Sequence, residues 1–102
     1  MKKSGAGTGV KERTETREQE PTPFQVVLLN DDYSTMDFVV EVLEGVFQRS
    51  PAEAYRIMME VHVKGRAIAG VYPFEIAETK ADKVGELARD AGFPLRAIVE
   101  EA

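Results

Sequence analysis

Two groups of residues have the types and spacing to do chemistry. One is the run Asn30-Asp31-Asp32, set between an apolar stretch and the start of a helical pattern. The other is Met58 and His62, which share a face at i and i+4 if that segment is helical. The plain reading of the first is a turn that caps a helix, because Asn and Asp are the common turn and cap residues. Two adjacent acids exceed what one cap needs, although a helix N-terminus tolerates them. The plain reading of His62 is a surface histidine near a helix end. Met36 and Met58 suit a core, and methionine also suits adaptable binding surfaces.

Catalysis is hard to build from this inventory. Asp31, Asp32 and His62 match no standard metal-ligand spacing, so no metal and no cofactor is expected. A hydrolase would need a nucleophile, but Ser34 and Ser50 both read as helix caps. Paired carboxylates for acid–base work would have to be the same two neighbours. The chain is therefore read as a binding domain and not an enzyme.

Composition narrows the partners. The chain has 102 residues, enough for one domain, and no cysteine, which removes disulfides and thiolate chemistry. Residues 1–20 carry five basic and four acidic side chains, whereas the remainder carries eight and fourteen. The folded part is thus acidic, a poor match for a phosphate backbone and a better one for cationic ligands. The longest apolar run, Val26-Val27-Leu28-Leu29, is far too short to span a membrane. The basic residues near the start precede no apolar stretch, so no secretory signal is expected and the protein is read as cytoplasmic.

These side chains need elements to hold them. Residues 1–21 are almost wholly polar, and a disordered extension is expected there. Phe24 to Leu29 reads as a buried strand. Met36, Val39, Val40, Leu43 and Phe47 recur at helical spacing, with Ser34 as the expected cap. Ser50, Pro51 and Glu53 open a second helix with the stripe Ala54, Ile57, Met58 and Val61, and Gly65 closes it. Arg66 to Ala77 reads as extended. Thr79 is the expected cap of a third helix with the stripe Val84, Leu87, Ala88 and Ala91, ended by Gly92. Leu95 to Val99 reads as a last strand. The order β-α-α-β-α-β implies an α+β fold over residues 22–102. It is a compact two-layer sandwich, a three-stranded antiparallel sheet with three helices on one face.

Asn30-Asp31-Asp32-Tyr33-Ser34-Thr35-Met36, Val61-His62, Gly65, Gly70 and Glu78-Thr79-Lys80 together resemble the ClpS family, without gaps from about Thr22 to Ala102. ClpS proteins are adaptors that bind the N-terminal residue of a substrate and deliver it to a ClpA-type unfoldase for proteolysis by ClpP. The resemblance implies that Asn30, Asp31 and His62 accept hydrogen bonds from the substrate's α-ammonium group, with Asp32 and Ser34 near its backbone. Charge-assisted bonds of this kind are worth roughly 1.5–3 kcal/mol each. It implies that Leu28, Met36, Val39, Met58, Val61 and Leu95 line a pocket for a first side chain of Phe, Tyr, Trp or Leu. It implies that Glu75, Glu78 and Lys80 dock on the N-terminal domain of the unfoldase. The protein is read as a monomer. Where the family often has Thr-Pro before the methionine, this chain has Ser34-Thr35, so a looser loop is expected. The alternative on the same fold is the interaction domain of the ribosomal stalk, which is Lys- and Ala-rich and lacks the Asn-Asp-Asp loop with its histidine.

Overall fold

Residues 22–102 are described by a computed structural model; the extension expected at residues 1–21 lies outside them. The elements are β1 (Pro23–Leu29), α1 (Met36–Gly45), α2 (Pro51–Lys64), β2 (Arg66–Pro73), α3 (Phe74–Ala91) and β3 (Arg96–Glu101). The strands form one antiparallel sheet in the order β2-β1-β3. This is the β-α-α-β-α-β sandwich read from the sequence.

The first strand is central because it is the most apolar. Val26, Val27 and Leu28 are all fully buried. Val26 and Leu28 pack into the core beneath the helices. Val27 points the other way, where Ile68 and Ile98 stand opposite it. On that face Arg66 pairs with Glu100, which also accepts from Gln25. The β1–β2 register breaks between Val26 and Val27, leaving Ala69 as an extra residue on β2. Arg49 donates two hydrogen bonds, of 2.9 and 2.7 Å, to the Ala69 carbonyl. The guanidinium thereby satisfies a backbone group at the irregularity.

The second helix forms as its signals dictate. Ser50 accepts from the Glu53 N–H, Pro51 opens the first turn, and Gly65 ends it at φ 90°. Ala54, Ile57, Met58 and Val61 are its buried residues, and burying the larger of these stabilises the fold by about 1.5–3 kcal/mol each.

The other helices depart from expectation in instructive ways. The cap of α1 is Thr35, whose Oγ1 accepts from the Phe38 N–H at 3.1 Å, and not Ser34. Ser34 is engaged backwards by Asp31 and is not available to the helix. Val42 takes a core place beside Val39 and Leu43, while Val40 is only partly buried. α3 starts at Phe74, immediately after β2, and not at Thr79. Phe74 packs edge-on against Phe24 at 4.9 Å, and Ala77 is fully buried. Tertiary packing thus turns the β-prone run Phe74-Glu75-Ile76 into helix. Thr79 lies inside the helix, donating to the Glu75 carbonyl. At the other end Gly92 terminates α3 at φ 80°, but Ala91 is exposed. The last strand begins at Arg96, with Leu95 buried just before it.

Candidate functional site

The buried half of β1 delivers the chain at Asn30, where the backbone leaves the sheet. The Asn30 N–H donates to the Gly65 carbonyl at 2.9 Å. Gly65 is the left-handed residue closing α2, and its own N–H donates to the Val61 carbonyl. One backbone bond therefore stitches the loop to the turn that carries His62.

Asp31 shapes the next four residues. Its Oδ1 accepts from the Tyr33 N–H at 2.8 Å and the Ser34 N–H at 2.7 Å, and its Oδ2 accepts from the Ser34 hydroxyl at 2.8 Å. Partial burial pushes the Asp31 carboxyl up. The hydrogen bonds from Ser34 and Tyr33 outweigh it and hold the group below the ordinary carboxylate value. Thr35 then caps α1, whose first residue is Met36.

The loop, the start of α1 and the end of α2 enclose a cavity of about 220 Å³. Its floor is apolar: Val39, Met58 and Val61 are each almost fully buried. Met36 stands at the rim, 47% exposed. The polar wall is Asn30, Asp31, Asp32, Ser34 and His62. A dry apolar cavity of ~150 Å³ can hold a benzene ring, so this volume suits an aromatic or branched side chain.

The five polar residues are not equivalent. Asp31 and Ser34 are bonded to each other within the loop. The side chains of Asn30, Asp32 and His62 make no hydrogen bond or ion pair among the described residues. Three groups able to accept hydrogen bonds thus line one cavity with an apolar floor. No set of three or more metal-ligating side chains is grouped among the described residues.

Two of the expected pocket residues are not at the cavity. Leu28 is fully buried in the core under β1, and Leu95 is buried beside α3, lining a different depression. Glu75 and Glu78 are exposed in the first turns of α3. Lys80 is partly buried, its Nζ donating to the Val46 carbonyl at 2.6 Å and to Gln48 Oε1 at 3.2 Å. Its ammonium also lies 5.2 Å from the Tyr72 ring centre. Sequence reasoning missed the role of Asp31 as loop scaffold; its signal was a serine three residues after an aspartate, the pattern of a local Asp turn.

The profile of the family described as "ATP-dependent Clp protease adaptor protein ClpS" matches residues 19–98. The chain belongs to the ClpS family. It is 53% identical over 92 residues to the Clp protease adapter ClpS of Wolinella succinogenes, covering 86% of this chain and 90% of that one. It is 54% identical over 83 residues to ClpS of Nitratidesulfovibrio vulgaris, covering 81% and 83%. Among solved structures, ClpS2 of Agrobacterium tumefaciens bound to L-phenylalaninamide superposes with a TM-score of 0.79 at 42% identity. That match covers 81% of this chain and the whole of the other. ClpS membership makes the chain a Clp protease adaptor and accounts for its fold. No described helix is long and apolar enough to cross a membrane.

Proposed function

We propose that the cavity captures the first residue of a substrate protein, taking its free α-ammonium at the polar wall and its side chain on the apolar floor. The observation that carries this is the set of three unengaged acceptors, Asn30, Asp32 and His62, around one apolar cavity. An ammonium has three donors and a positive charge, and three acceptors with a carboxylate among them complement it. Asp31 accepts three bonds from the loop but keeps its negative charge and a free lone pair on Oδ2. It therefore shares the counter-charge with Asp32, whose carboxylate makes no contact in the fold. The relative that binds phenylalaninamide, a free amine bearing a benzyl group, supports the same chemistry.

The preferred first residues are then Phe, Tyr, Trp and Leu. Burying such a side chain contributes about 1.5–3 kcal/mol, and with the amine contacts and the cost of association micromolar affinity results. Delivery goes to a cytoplasmic ClpA-type unfoldase and the ClpP protease, with Glu75, Glu78 and Lys80 on α3 as the docking surface. Support for that surface is the exposure of both glutamates on one helix.

Calorimetric titration of peptides that differ only in their first residue tests the reading. Those starting with Phe, Tyr, Trp or Leu are expected to bind, and those starting with Ala or carrying an N-acetyl cap are not. Acetylation removes the charge, and with it the charge-assisted bonds to Asn30, Asp32 and His62. These groups are exposed in the free chain, and each such bond is worth roughly 1.5 kcal/mol in a solvent-facing site. Equal binding of capped and free peptides would overturn it.

A further inference from the structure

The folded part has eight basic side chains. Arg56, Arg66 and Lys83 pair with glutamates. Arg49 and Lys80 donate to backbone carbonyls. Only Lys64, Arg89 and Arg96 have no such partner among the described residues, and two of these three line one furrow.

That furrow, of about 290 Å³, runs between α3 and β3. β3 is an edge strand, so the furrow lies at the border of the sheet, away from the Asn30–His62 cavity. Ala81, Ala88, Phe93 and Pro94 give it apolar walls, with Arg89 on the helix side and Arg96 on the strand side. Its floor holds Gly85, in the middle of α3. Glycine there costs a helix about 1 kcal/mol against alanine. No close backbone packing requires it. The one atom within 4 Å of where its Cβ would stand is Nη1 of Arg89, at 3.3 Å. The bare backbone at Gly85 is the seat of the Arg89 guanidinium.

We propose that this furrow docks an acidic peptide segment of a partner protein. A carboxylate is held by Arg89 and Arg96, and an apolar neighbour rests on Phe93 and Pro94. Guanidinium forks match carboxylates in geometry as well as charge. In a chain of net charge −5, an acidic segment is repelled by most of the surface and finds its complement here. A basic segment would leave both arginines opposed, so the charge selects one class of occupant.

The test uses the full chain and an N-acetylated peptide alternating Glu and Leu, labelled at its C-terminus and followed by fluorescence anisotropy. The acetyl cap keeps it out of the proposed N-terminal-residue site. Saturable binding is expected, with Arg89→Gln and Arg96→Gln each weakening it about fivefold, the upper range for an exposed ion pair. Gly85→Leu should keep or raise the melting temperature, since Leu is a good helix former, while weakening the peptide by filling the guanidinium's seat. All three variants should bind a free peptide starting with Phe as the parent does, which separates this site from the other. A peptide alternating Lys and Leu that binds equally well overturns the proposal. So do arginine variants with unchanged affinity, or competition by inorganic phosphate at concentrations equal to the peptide's.

Discussion

The two adjacent acids of the loop should differ in what they cost the fold. Asp31→Ala removes three acceptor contacts, two to backbone N–H groups and one to the Ser34 hydroxyl. Net hydrogen-bond contributions are ~0.5–1.5 kcal/mol each, and these are at most partly buried, so about 2 kcal/mol of stability should go. For a domain of this size each kcal/mol moves the melting temperature by about 4–8 °C, giving a drop of about 8–16 °C. Asp32→Asn removes a carboxylate that contacts nothing in the fold, so its melting temperature should stay within about 4 °C of the parent. Its cost appears on the ligand. A charge-assisted bond at a solvent-facing site is worth roughly 1.5 kcal/mol, so affinity for a peptide starting with Phe should fall about tenfold. Thermal melts by circular dichroism, and calorimetry on the same samples below the transition, give both quantities. An Asp31→Ala protein as stable as the parent would refute the scaffold role. An Asp32→Asn protein that binds undiminished would refute a share of the counter-charge for Asp32.

Met36 at the rim should exclude Ile and Val, whose second branch at the β-carbon cannot rotate away cheaply. Met36→Ala is expected to admit peptides beginning with either while weakening Phe less than His62→Ala does, in one peptide series titrated against both. Gly65→Ala meets no atom within 4 Å, so its cost is backbone strain alone at φ 90°, about 1 kcal/mol, read as a fall of roughly 4–8 °C in the melt. Gly70→Ala is different: its Cβ would land on the Tyr72 ring, 2.6 Å from Cζ, and overpacking should cost about 1–3 kcal/mol. In a Tyr72→Ala background the same change should cost far less, which a double-mutant cycle measures. Because the Asp31 carboxyl is held below its ordinary value, its contribution is complete above about pH 4 and lost as pH falls from there toward the folded value. The parent should therefore lose more stability between about pH 4 and pH 2 than Asp31→Ala does.

What could be read in the sequence depended on whether the signal was local. α2 was legible throughout because Ser50, Pro51 and Gly65 are cap residues whose partners lie within four positions. The start of α3 was not, because Pro73 makes no side-chain cap bond and the turn is fixed by Phe74 meeting Phe24, some fifty residues earlier. Ser34 misled for a related reason: serine suits a cap, but Asp31 three residues before it competes for the same hydroxyl. Of the residues around the cavity, Asn30, Asp32 and His62 stand out by type, and Met36, Val39, Met58 and Val61 by helical spacing joined to family resemblance. Leu28 and Leu95 are buried as expected of leucines, yet burial does not say which cavity a side chain faces.

The place of β1 in the sheet has a mechanical meaning. The loop that carries Asn30 to Ser34 is the direct continuation of the central strand, which is bonded along both edges. A tug on this loop along the strand axis loads both antiparallel ladders in shear, and β1 can slide only if they slip together. Peeling an edge strand would break its bonds one after another under far less force. A molecule anchored in this way can be pulled by what it holds and keep its shape.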